Sequence, residues 1–124
     1  MAVSGFMNLT VWQRAMELMK ESYRVAEELP HIERYSMADQ IRRSALSVPS
    51  NIAEGHARVH MGEYLNHLSI AGGSLAELQT LLLAARDLGY LSPPQLARPL
   101  SLAGETSRML LALRSAVRRR SRSS

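Results

Sequence analysis

Three histidines and a glutamate recur at spacings of four, three and four residues, at His56, His60, Glu63 and His67. On an unbroken helix these side chains would share one face, and imidazole and carboxylate groups are common ligands of zinc. The glycines within this segment favour a turn there instead. We therefore expect exposed turn histidines, no metal and no cofactor.

The sequence gives no indication of catalysis by a serine hydroxyl. The serines of the central segments occur without a suitable His–Asp pattern, and neither a nucleophile elbow nor a glycine-rich phosphate loop is present. We predict no catalytic residue and no enzymatic activity. A metal-dependent enzyme at the histidine cluster is the remaining catalytic alternative.

Arginine supplies another chemistry, because guanidinium groups bind phosphates without reading base sequence. The net charge is +4, but residues 1–113 hold 10 basic against 11 acidic side chains, and residues 114–124 hold five arginines and no acid. The candidate nucleic-acid-binding residues are Arg42, Arg43, Arg58, Arg114, Arg118, Arg119, Arg120 and Arg122.

Each group of arginines also has a structural interpretation. Arg42 and Arg43 diverge by about 100° on a helix, so one of them could pair with Glu54 or Glu77 inside the fold. The terminal arginines could form a solubilising end of the chain. No aromatic residue lies among them to stack on single-stranded bases.

Helices must position these groups. Leu, Ala and Met are the most frequent apolar residues, strand-like alternation is absent, and no cysteine is available for a disulfide or a thiolate metal site. The spacing of apolar residues predicts four helices, over about 9–29, 36–56, 61–88 and 93–118. Their short connections predict an all-α fold, an up-down-up-down antiparallel four-helix bundle.

The predicted bundle is a single domain at 8–118, after a loose lead-in at 1–7 and before a basic tail at 119–124. Its second helix contains Pro49, which removes one hydrogen bond and clashes with the Ala45 carbonyl at a cost of about 3 kcal/mol. Because the apolar periodicity continues past the proline, we predict one helix that is kinked at Pro49.

The third predicted helix is apolar on two sides toward its end. A helix of this kind is buried on two sides, and in so small a domain the second side is expected to face another subunit. The candidate interface residues are Leu75, Leu78, Leu81, Leu82 and Leu83. Gly72 and Gly73, in the middle of the same helix, suggest the close approach of another backbone.

No signal-peptide pattern begins the sequence. The longest apolar run, at 81–85, is far shorter than the ~20 residues that span a bilayer. We expect a cytoplasmic protein that does not enter a membrane.

Four segments carry a family resemblance: Val-Trp-Gln-Arg-Ala at 11–15, Gln-Ile-Arg-Arg-Ser-Ala at 40–45 with Val-Pro-Ser-Asn-Ile-Ala-Glu-Gly at 48–55, Ala-Gly-Gly-Ser-Leu-Ala-Glu-Leu at 71–78, and Leu-Gly-Tyr-Leu at 88–91. Over residues 6 to about 115 the chain resembles the four-helix-bundle proteins encoded in intervening sequences of bacterial 23S rRNA genes. Such proteins are similar to the accessory protein of diversity-generating retroelements, a pentameric barrel that binds nucleic acid beside a reverse transcriptase. The resemblance implies a homopentamer and supplies no catalytic residue, and the arginine-rich end lies outside the family pattern.

The sequence therefore predicts a non-enzymatic, homo-oligomeric bundle that binds RNA or DNA through arginines, with a protein partner as a further possibility. The alternative is a structural or adaptor protein that recruits a partner through its apolar second face and has no nucleic-acid role.

Overall fold

The computed structural model describes residues 5–123, and within that range the fold is all-α and contains no strand. Four helices follow one another along the chain: α1 (Thr10–Glu27), α2 (Met37–His56), α3 (Met61–Asp87) and α4 (Pro93–Ser123). Each helix packs chiefly on its two neighbours, with α1 closing the bundle against α4. The predicted antiparallel four-helix bundle is confirmed.

Short 3-10 segments lie before α1 and in the connection between α1 and α2. Gly5–Asn8 forms one such turn, so part of the predicted lead-in at 1–7 is ordered, while residues 1–4 lie outside the described range. His31–Glu33 forms the other, between α1 and α2. The Tyr90 hydroxyl donates a hydrogen bond of 2.9 Å to the Glu33 carboxylate and thereby joins the α1–α2 and α3–α4 connections.

α2 continues through Pro49 as a single helix, as the periodicity predicted. Pro49 is buried between Val48 and Ile52, which are also buried. Burial of these side chains against the neighbouring helices offsets the missing backbone hydrogen bond, because each fully buried aliphatic side chain contributes about 1.5–3 kcal/mol.

The core takes one apolar face from every helix, and α3 supplies its largest share of leucines. Leu75, Leu78 and Leu82 are almost fully buried in the core of their own chain. The expectation that they form a subunit interface is corrected, since almost none of their surface is left for a second chain. Of the five candidate leucines, Leu81 is half-buried and Leu83 is exposed.

α4 runs to Ser123, five residues beyond its predicted end. The arginines assigned to a tail at 119–124, which are Arg119, Arg120 and Arg122, therefore lie on the last turns of a helix. Position 124 is outside the described residues. Arginine is a good helix former, and cations stabilise the C-terminal end of a helix through its dipole. These two preferences outweigh the mutual repulsion of neighbouring guanidinium groups.

By length and composition α3 could also cross a membrane, a property shared by many core helices of water-soluble proteins. In the bundle its buried face meets α2 and α4.

Candidate nucleic-acid interface

The antiparallel order places the end of α4 beside the turn between α2 and α3. If each helix is divided at its midpoint, one half of the bundle comprises residues 5–18, 47–74 and 108–123, and we call it the basic half. It holds eight arginines against three carboxylates, whereas the opposite half holds seven basic and eight acidic side chains. The positive charge of the protein is thus collected at one end, where it raises the local concentration of anions.

Arg114, Arg118 and Arg122 follow one another at spacings of four residues on α4 and share one face of that helix. Arg114 lines a shallow groove of about 220 Å3 between α3 and α4, together with Gly72 and Gly73. The Nε atom of Arg114 is buried and has no hydrogen-bond acceptor among the described residues. An oxygen atom from outside the chain would satisfy it.

Arg119 is exposed. Arg120 lies close enough to Tyr64 for its positive charge to act on the tyrosine hydroxyl. Burial raises the pKa of Tyr64, and the positive charge of Arg120 partly opposes that rise. The Tyr64 hydroxyl is buried without a hydrogen-bond partner in the described part of the chain. Because its pKa is raised, the Tyr64 hydroxyl stays protonated in the neutral range and adds no negative charge to this half.

Arg42 and Arg43 do not belong to this cluster. Residue 42 lies fourteen positions before the end of α2, which corresponds to about 21 Å along the helix. Arg42 pairs with Asp39 at 2.8 Å and also donates to the carbonyl of Arg34 at 3.2 Å. The expected structural pair therefore forms, but with Asp39 rather than Glu54 or Glu77. Arg43 is exposed.

The histidine cluster is divided by the turn between α2 and α3. The ring of His56 packs edge-on against Tyr64 at 5.8 Å between centroids, and His67 Nδ1 lies 3.0 Å from the side-chain oxygen of Asn51. Among residues 5–123 no three His, Asp or Glu side chains converge as metal ligands. His56 and His67 are half-buried on α2 and α3, so the expectation of exposed turn histidines is wrong for these two and correct only for His60.

A second concave site lies on the outer side of the α2–α3 turn, and sequence reasoning did not find it as a site. A groove of about 370 Å3 is lined by Arg58, Gly62, Glu63, Asn66 and His67. On α3, Glu63 precedes Asn66 and His67 by three and four residues, so the three side chains share a face. The spacing of these three residues could have indicated the groove from the sequence. The segment was interpreted as a candidate metal site, and Asn66 was left out because it is not a usual metal ligand.

Apolar side chains on the sides of the bundle remain partly uncovered. Leu83 and Leu111 are 36% and 57% exposed, on α3 and α4 respectively. A Cβ atom at Gly72 would lie 3.8 Å from Leu110, and at Gly73 it would meet nothing within 4 Å. The close backbone approach that the glycine pair suggested is therefore not made within the described chain.

Comparisons with known proteins agree with this architecture. A family model described as 23S rRNA-intervening sequence protein matches residues 7–112. A protein of unknown function from the S23 ribosomal protein family of Bacteroides thetaiotaomicron has a similar solved structure, with a TM-score of 0.78 at 21% sequence identity. The similarity covers 84% of this chain and 97% of that one, and at this identity it shows a shared fold. No curated protein matches the chain.

Proposed function

The chain belongs to the family of 23S rRNA intervening sequence proteins, and from this premise we propose that it is a non-enzymatic, homo-oligomeric bundle that binds RNA or DNA through the arginines of its basic half. The observation that carries the proposal is the segregation of charge, with eight arginines and three carboxylates at one end. Arginines in such a cluster neutralise phosphates and release counterions, which favours binding to any sequence.

The test is a titration of labelled structured RNA and duplex DNA at several salt concentrations. One variant replaces Arg118, Arg119 and Arg122 by Gln, and a matched variant with the same loss of charge replaces Lys20, Arg24 and Arg86 in the opposite half. If the basic half binds phosphates, the first variant flattens the dependence of log K on log salt by about 2 to 3 units for duplex DNA.

The matched variant should retain nearly all of the affinity. α4 alone is about 46 Å long, whereas charges are screened over about 10 Å at 0.1 M salt. Equal losses in the two variants would argue for a diffuse attraction to net charge. Binding of the unaltered protein no better than that of a neutral control at low salt would end the proposal.

The oligomeric part of the proposal rests on the exposed apolar side chains and on the groove between α3 and α4. A second copy would cover Leu83 and Leu111 and meet the open glycine pair, where backbones can approach closely. The family resemblance implies five copies. A ring would repeat the basic half of each chain and sum the attraction for a polyanion.

Light scattering tests this association, because a single chain has a mass of 13.8 kDa. Leu83→Glu places a charge on the exposed face and should lower the observed mass while helix content is kept. Leu82→Glu provides the contrast: it buries an unpaired carboxylate in the core and should unfold the chain. A monomer at micromolar concentration in the unaltered protein would refute the oligomer.

An adaptor role is the second candidate, favoured by apolar side chains at the end opposite the basic half. Ile32, Tyr35 and Leu88 are 82%, 78% and 58% exposed in the two connections there. This role predicts no affinity for RNA or DNA. It also predicts that an Ile32→Glu, Tyr35→Glu variant loses a captured partner that the unaltered protein retains.

A further inference from the structure

The groove at the α2–α3 turn differs from the rest of the basic half because it contains a free carboxylate. Of the three acids in that half, Glu17 pairs with Arg14 and Arg98, and Glu54 lies 3.6 Å from His67. Glu63 has no ion pair or hydrogen bond among the described residues, although it lines the groove beside Arg58. A carboxylate at this position weakens phosphate binding, so the groove suits another part of a nucleic acid.

The hydrogen bonds around His67 determine what this lining offers. The side-chain amide of Asn51 donates to the Ser47 carbonyl and hydroxyl at 2.9 and 3.0 Å, so its oxygen faces His67. In a neutral His67 ring, Nδ1 then carries the proton and donates to Asn51, which leaves Nε2 as an acceptor. With the Glu63 carboxylate and the Asn66 amide, the groove is rich in acceptors and holds one guanidinium, that of Arg58.

We propose that this groove binds an unpaired guanine of a single-stranded nucleic acid. Guanine presents two adjacent N–H donors, N1–H and the exocyclic N2–H2, on its Watson–Crick edge, and a carboxylate accepts both. Adenine, cytosine and uracil each present donors at only one position on that edge. In this arrangement Glu63 accepts from guanine while Arg58 neutralises the adjoining phosphate, as expected for recognition of splayed-out bases.

The groove is large enough for this role and accessible. Its volume of about 370 Å3 lies within the range of about 300–1,000 Å3 that is usual for small-ligand pockets. A Cβ atom at Gly62 would meet nothing within 4 Å, so the wall beside the groove is open to an entering base. This inference rests on the proposed nucleic-acid binding and adds a base preference to it at a single position.

Fluorescence anisotropy with 12-nucleotide RNA and DNA probes tests the preference. The probes are four repeats of UUG, of UUA and of UU-inosine, with thymine in place of uracil for DNA; inosine lacks the exocyclic amine. The protein should bind the guanine probes about 5- to 100-fold more tightly than the adenine probes, the range of a good bidentate contact. Inosine should lie between them, in both RNA and DNA.

Glu63→Gln should abolish most of the guanine preference while adenine probes bind equally well or better, since a repulsive charge is removed. Glu77→Gln is the matched control, about 21 Å further along α3, and should keep the preference. Thermal denaturation of both variants controls for the stabilising effect of Glu63 in the first turn of the helix.

Equal affinity for guanine and adenine probes, or a preference that persists in Glu63→Gln, would overturn this inference and leave the proposed sequence-independent binding intact. If the protein binds none of these probes at low salt, and no structured RNA either, both proposals are overturned.

Discussion

Gly55 offers a sharp test of how closely α2 and α3 are packed. Of the seven glycines, it is the only one at which an added Cβ atom would come closer than 3.0 Å to another residue of the described range, since that atom would lie 2.8 Å from His67 Cβ and 2.9 Å from Tyr64 Cδ1. The Tyr64 carbonyl oxygen would be 3.2 Å away. Two of these three atoms are fixed to the backbone of α3, so a rotamer change cannot relieve the clash.

Two effects of Gly55→Ala oppose each other. Alanine is a better helix former than glycine by at most about 1 kcal/mol near a helix end. Overpacking between rigid elements costs about 1–3 kcal/mol, and the rigid neighbours here place the cost in the upper part of that range. We expect a net loss of about 1–2 kcal/mol and a fall in Tm of about 4–8 °C for a chain of this size.

Urea and thermal denaturation followed by circular dichroism, at one protein concentration, measure the effect. Gly104→Ala is the control, because its Cβ atom would approach only the mobile Arg108 guanidinium, at 3.5 Å. That variant should be more stable than the unaltered protein by about 0.5–1 kcal/mol. If Gly55→Ala were as stable as Gly104→Ala, the described contact between α2 and α3 would be incorrect.

Three further changes probe the bundle. Glu105→Gln removes the half-exposed ion pair with Arg14 that joins α4 to α1, and should cost less than about 1 kcal/mol in urea denaturation. Because burial raises the pKa of Tyr64, the unfolded chain loses that proton first, so stability should decline as pH rises from about 10; Tyr64→Phe should flatten this decline in a pH series of melting curves. Leu82→Ala should cost about 2–5 kcal/mol, while Leu88→Ala at an exposed position should change stability by less than about 0.5 kcal/mol.

Helix positions could be predicted from the sequence because apolar periodicity and helix-ending residues act locally. Pro30 and Gly89 lie just after α1 and α3, and Gly89 has the positive φ of 77° that ends helices. The buried side of α3 was harder to predict. Leucines cover several faces of that helix, and only the positions of α2 and α4 select Leu78 and Leu82 for the core over Leu83.

The candidate site was predictable in part. The arginines were identifiable by type, but their grouping depends on which helix ends lie together. Arg58 lies in the same half as the α4 arginines, whereas Arg42 pairs with Asp39, a local partner three residues earlier on the same helix. The spacing of Glu63, Asn66 and His67 on α3 is visible in the sequence, but the position of Arg58 beside them depends on the course of the turn between α2 and α3.

The collection of arginines in the basic half has two causes: the antiparallel order of the helices and the extension of α4 beyond position 118. In an antiparallel bundle with an even number of helices, the last helix ends where the second turn lies, so a basic C-terminal segment is placed beside Arg58. Without the residues after position 118, the basic half would hold five arginines against three carboxylates. The final turn supplies the other three, and because it is helical it holds them at a fixed distance from the groove at Glu63. Under the proposed function, a disordered tail of the same composition would attract polyanions but could not place a phosphate relative to that groove, so the proposed guanine preference requires the helical order of α4.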